Sequence, residues 1–137
     1  MTEPVFLDTS GLYAVFDADD STHPAVAETW RTLVESGAPL HTSSYVLVEL
    51  AALLRRRLGL PAVEALATFV MPWVNVSWVE DRVHEQALAA LLAAGKRDLS
   101  LVDCASFVLM RRLGVRAVLT VDRHFADQGF AVVPTLA

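Results

Sequence analysis

The chain alternates short apolar runs with amphipathic stretches, and that alternation constrains its fold more than any single motif. Val5-Phe6-Leu7 reads as a buried strand ending on Asp8, and Thr9 or Ser10 can cap a helix over residues 11–16. After a polar turn, His23-Pro24 opens a second helix with Val26, Trp30, Leu33 and Val34 on one face and Gly37 as its stop. Leu40-His41-Thr42 is a brief second strand, and Ser43 or Ser44 caps a third helix over residues 45–58, stopped by Gly59. Pro61 starts a fourth helix running to residue 70, where Met71-Pro72 breaks it. Residues 74–79 make a third strand and residues 81–94 a helix closed by Gly95. Ser100 caps a helix over residues 101–113, closed by Gly114. Residues 117–121 form a fourth strand ending on Asp122, and residues 130–133 a final one before Pro134. Short strands separated by helices predict an α/β fold, a central parallel sheet with helices on both faces, in a single domain over residues 1–137.

Composition narrows the function classes. An apolar fraction of 54% excludes a disordered chain. Charges and turn residues interrupt every apolar stretch before the ~18–20 residues a membrane span needs. With no basic region or cleavage site at the N-terminus, a signal peptide is not expected. Cys104 is the only cysteine, which excludes an internal disulfide, suits a reducing cytoplasm and reads as a small core residue. The net charge of −5 counts against nucleic-acid coating by charge alone. It does not count against a metal enzyme, whose carboxylates are neutralised by bound cations. The basic groups Arg55-Arg56-Arg57, Lys96-Arg97 and Arg111-Arg112 with Arg116 serve either as solvated helix faces or as phosphate contacts. No P-loop and no G-x-S-x-G elbow occurs.

Four acids fall in unusual places. Asp8 and Asp122 close apolar strands at their carboxyl ends, the edge where open α/β sheets bind ligands; a helix cap or turn is the alternative role for each. Glu49 lies within the stripe Val46, Leu50, Leu53 and Leu54, where a charge is costly unless it meets a cation or a buried arginine such as Arg56. Asp103 completes an S-x-x-D capping box with Ser100 and shares a face with Phe107 and Met110. Asp98 can add a fifth acid at the same mouth or remain a loop acid. Clustered carboxylates repel unless a cation intervenes, and an oxygen-only ligand set suits Mg²⁺ or Mn²⁺. Such a site holds phosphate oxygens and activates water for attack on phosphorus.

In these stretches the chain resembles the PIN-domain ribonucleases, and within them the toxins of VapBC toxin–antitoxin systems. The matching segments are Phe6-Leu7-Asp8-Thr9-Ser10, the run from Ser44 to Glu49, Ser100-Leu101-Val102-Asp103-Cys104-Ala105-Ser106-Phe107, and Leu119-Thr120-Val121-Asp122-Arg123-His124-Phe125. The resemblance implies a sheet ordered 3-2-1-4-5 and Mg²⁺-dependent endonucleolytic cleavage of RNA by metal-activated water, with Mn²⁺ able to substitute. It assigns Asp8, Glu49, Asp103 and Asp122 to the catalytic quartet. Asp8 and Asp103 hold the metal, Glu49 and Asp122 reach it directly or through water, and Asp122 is the least secure. Thr9, Ser10, Thr120 and Asp98 are accessory. A homodimer and a cognate antitoxin partner are implied as well.

Phosphate contacts are expected from Arg55, Arg56, Arg57, Lys96, Arg97 and Arg123. His124 is expected to point to solvent while Phe125 packs inward. His23, His41 and His84 show no zinc-ligand spacing. Trp30, Trp73 and Trp78 are expected in core or dimer packing rather than stacked on bases. The competing reading is a non-catalytic PIN-like module that binds RNA or protein, its acids only structural.

Overall fold

A computed structural model of the chain describes residues 2–136, so Met1 and Ala137 of the expected domain lie outside the described residues. Strands β1 (Val5–Leu7), β2 (Leu40–Ser43), β3 (Val74–Ser77), β4 (Ala117–Leu119) and β5 (Ala131–Val133) form one parallel sheet in the expected order β3-β2-β1-β4-β5. Successive strand residues face opposite sides, yet Val5, Phe6 and Leu7 are all buried, so both faces of β1 are covered. The chain builds outward from β1 to β2 and β3, then returns to add β4 and β5 on the other side. The reversal opens a crevice beyond the carboxyl ends of β1 and β4, where doubly wound sheets bind ligands.

The helices are α1 (Thr9–Phe16), α2 (His23–Ser36), α3 (Ser44–Leu58), α4 (Leu60–Ala65), α5 (Asp81–Ala94), α6 (Leu101–Leu113) and α7 (His124–Asp127). Ser43, rather than Ser44, caps α3 by accepting from the Val46 amide. The Ser44 hydroxyl instead accepts from the Val79 amide beyond β3. The helix expected over residues 61–70 ends at Ala65 and continues as a wider π turn, Leu66–Val70, then a tight turn, Met71–Trp73, that delivers the chain to β3. Three strands are shorter than periodicity suggested, with Trp78 and Val79, Thr120 and Val121, and Phe130 outside them. The α7 turn had no counterpart in the sequence reading; it is four residues long and anchored by Phe125, which packs edge-on against Phe107 at 4.9 Å between ring centres.

Gly11 explains how α1 reaches the crevice. A Cβ there would lie 2.3 Å from the Leu119 carbonyl oxygen, so only glycine lets α1 rest directly on the end of β4. That close approach brings Ser10 to Thr120, residues 110 positions apart, with 3.0 Å between their hydroxyl oxygens.

Candidate active site

Asp8 leaves β1 and occupies the N-cap position of α1, although its side chain makes no cap bond. Its Oδ2 accepts from the Thr120 hydroxyl at 2.8 Å and from the Ser10 hydroxyl at 3.0 Å. Thr120, fully buried, also accepts from the Asp122 amide at 2.9 Å, and Ser10 Oγ accepts from the Val121 amide. One pair of hydroxyls therefore ties the ends of β1 and β4 together and orients Asp8. Burial pushes the Asp8 carboxyl up to about 7, against the lowering effect of Thr120 and Ser10, and the nearby Asp103 adds to the rise. Thr9, the next residue, is buried with no hydrogen-bond partner for its hydroxyl among the described residues.

Asp103 is the hub. The capping box forms as expected: its amide donates to Ser100 Oγ and its carboxylate accepts from the Ser100 amide, both at 3.0 Å. Burial raises its carboxyl, the Ser100 bonds oppose that, and the charges of Asp122 and Glu49 raise it further. The field of Asp103 also reaches Asp8. Asp122 and Glu49 therefore bear on Asp103, and Asp103 bears on Asp8, in a chain of neighbouring charges.

Glu49 corrects a sequence inference. Val46, Leu50 and Leu54 are the buried face of α3, and Glu49 is exposed rather than buried within the stripe. At about 100° per residue, it stands roughly a quarter-turn from the centre of that face, whereas Leu53 stays closer and half-buried. The predicted penalty for a buried charge therefore does not arise. No arginine pairs with Glu49 among the described ion pairs.

His124 is a second correction. Its side chain is only 12% exposed and lies between two acids, with Nδ1 2.7 Å from Asp122 Oδ1 and Nε2 3.3 Å from Asp98 Oδ2. The His124 amide donates to the same Asp122 oxygen at 2.9 Å, an aspartate turn that folds the histidine back over the carboxylate. The D-x-H spacing after a strand was the available signal. Burial lowers the His124 pKa, but Asp122, Asp98 and Asp103 outweigh it, so the net shift is upward. Asp103, Asp122 and His124 each offer a ligand atom within 4.8 Å of the others. Asp122, expected to be the least secure acid, is thus one of the most closely gathered.

The basic candidates divide. Lys96 and Arg123 line an ionic cleft with Asp98, His124 and Asp127, next to the acids. Arg97 is exposed in the preceding loop. Arg55, Arg56 and Arg57 occupy the last turn of α3, roughly 10 Å along the helix from Glu49, and Arg57 lies over the Tyr13 ring instead of the crevice. Trp30 packs against the core, whereas Trp73 and Trp78 are exposed. Cys104 is buried in a small cluster with Ala87 and Ala105.

A sequence profile of the PIN domain matches residues 5–131. The chain belongs to the PIN domain family. It is 34% identical over 130 residues to the 23S rRNA-specific endonuclease VapC20 of Mycobacterium tuberculosis, covering 94% of this chain and 97% of that one. Ribonuclease VapC26 of the same organism is 33% identical over 127 residues, covering 89% and 90%. The crystal structure of VapC20, described as a sarcin-ricin loop cleaving toxin, superposes with a TM-score of 0.80 over 93% of this chain and 96% of that one. FitAcB from Neisseria gonorrhoeae shares the fold at a TM-score of 0.67 and 16% identity, covering 93% and 95%. The resemblance read from the motifs, the strand order and the VapC affiliation therefore stand.

PIN nucleases generally use divalent metals, and the residues here fit one. Asp8 and Asp103 are held in surroundings that disfavour two uncompensated negative charges, and the gathered donors are mostly carboxylate oxygens. A hard cation relieves that strain.

Proposed function

We propose that this chain is an endoribonuclease, the toxin half of a VapBC-type pair, that hydrolyses RNA phosphodiester bonds with Mg²⁺ held by Asp8, Asp103 and Asp122. The observation that carries the reading is the buried Asp8, its carboxyl at about 7, set beside Asp103 at the switch point of the sheet. When bound, the cation supplies charge neutralisation at the phosphate and lowers the pKa of a water molecule. The protein supplies the rest. Thr120 and Ser10 hold Asp8 in place, the Ser100 capping box holds Asp103, and His124 turns Asp122 toward it. Glu49, exposed at the rim, adds negative charge near Asp103 and acts directly or through water. Lys96 and Arg123 contact the RNA backbone beside the crevice. Water is the nucleophile, so the ribose 2′-OH takes no chemical part.

The 34% identity to an enzyme named for 23S rRNA makes a ribosomal RNA loop the first substrate to test. Exposed apolar side chains at Val48, Phe69, Trp73 and Trp78 support protein partners, an antitoxin and a second copy of the chain. No helix among the described residues is long and apolar enough to cross a membrane, and we place the activity in the cytoplasm with its RNA. The deciding experiment incubates the purified protein with RNA in Mg²⁺, Mn²⁺ or EDTA. Cleavage is expected only with metal, and Asp103→Asn should abolish it. Full activity of that variant in EDTA would sink the mechanism.

A further inference from the structure

Two clefts flank the acidic cluster, and among their lining residues they share only Arg123. Their walls differ in kind. The cleft of about 370 Å³ is lined entirely by ionisable groups, from Lys96 to Asp127. The other, about 250 Å³, is walled by Val121, Ala126, Val132 and Pro134, with Thr120 and Asp122 on the side of the acids. Apart from Asp122 and Arg123 nothing in that lining is charged, so its apolar walls offer little to a phosphate or a cation. They suit one flat, weakly hydrated ring, whose transfer from water is favourable on apolar surface.

The occupant follows from continuity with the acids. Asp122 lines the apolar cleft and also offers a ligand atom to the cluster with Asp103 and His124. A strand whose phosphate lies on that cluster therefore has the apolar cleft beside the scissile bond. The hydroxyl of Thr120 is already committed to Asp8, so Thr120 contributes proximity and not a bond to the ligand. Arg123 stands between the clefts, where its guanidinium plane can lie against a base while its charge faces the backbone.

We propose that the apolar cleft is a subsite for one unpaired nucleobase next to the cut, with Arg123 as the partition between base and backbone. The proposal rests on the nuclease reading and adds to it where sequence preference arises. It requires the target to be single-stranded or splayed out at that nucleotide, since a paired base cannot enter the cleft.

The test narrows the cleft from two exposed lining positions, with Ala126→Phe and Thr135→Trp. A randomised single-stranded RNA pool is digested with Mn²⁺ and the cleaved ends are sequenced. Hydrolysis of bis(p-nitrophenyl) phosphate, a diester without a base, is followed in parallel. The wild type should show a nucleotide preference at one position beside the cut. Each variant should flatten it, and kcat/KM for RNA should fall about tenfold relative to that for the small diester, the order of one base contact. A preference retained in both variants, no preference in the wild type, or an equal fall on both substrates would overturn the subsite. A wild type that hydrolyses neither substrate would overturn the nuclease reading, and the subsite with it.

Discussion

Asp8 and Asp98 mark a buried and an exposed flank of the site and are held by opposite means. Asp8 is buried at a strand end, gripped by two hydroxyls from distant parts of the chain. Asp98 has a 64% exposed side chain in a loop, and its described partner is His124. The buried flank is rigid because sheet pairing, the α1 contact at Gly11 and the Thr120–Ser10 link all bear on the same point. The exposed flank rests on a four-residue helix and on surface ion pairing, which water and salt weaken. Under the function proposed above, the first flank would fix the position of the cation's ligands and the second would adjust them.

The largest expected effect separates the hub from the rim. Asp103→Asn should reduce metal-dependent RNA cleavage by more than the ~10–100-fold that outer partners of a metal site cost, while Asp98→Asn should stay under about tenfold. Equal losses in the two variants would erase the distinction between the flanks.

A pH dependence should follow from the buried flank. In the folded protein Asp8 keeps its proton up to about 7, whereas the unfolded chain releases it near 3.8. The folded state therefore binds more protons between those values, and stability falls as pH rises through that window. The raised Asp103 carboxyl acts in the same direction. The metal-free protein should lose a few kcal/mol, and several degrees of Tm, between about pH 4 and about pH 7. Asp8→Asn should flatten most of that slope, and saturating Mn²⁺ should suppress it. A Tm that rises with pH across the window in the metal-free protein would contradict the burial argument.

Gly11→Ala tests the contact that aligns the buried flank. The added methyl would collide with the Leu119 carbonyl, and displacing α1 should cost about 1–3 kcal/mol in chemical denaturation, with Mn²⁺ affinity falling alongside. Stability loss without a change in affinity would mean that α1 does not govern Asp8.

A further, modest effect belongs to the other flank. His124→Asn removes the ring that bridges Asp98 and Asp122 and should weaken Mn²⁺ binding by about tenfold in a calorimetric titration. A loss matching that of Asp103→Asn would promote His124 from support to essential ligand.

The chain's pattern alone determined the order of the strands and of every helix but α7, the closing glycines at Gly37, Gly59, Gly95 and Gly114, and the Ser100–Asp103 capping box, because these depend on local spacing and backbone preference. Placing Asp8 at a strand end was equally legible, since it follows an apolar run, whereas Asp122 lies three residues beyond the end of β4. The strand order came from the motif resemblance and matched the sheet. Three features needed the tertiary structure. Glu49 read as a buried charge because helical spacing gives the width of an apolar stripe but not where packing cuts it off. His124 read as solvated because a turn through the Asp122 side chain leaves almost no hydrophobic signature. The Thr120–Ser10 link joins α1 to the end of β4, and no local pattern encodes a contact between residues more than a hundred positions apart.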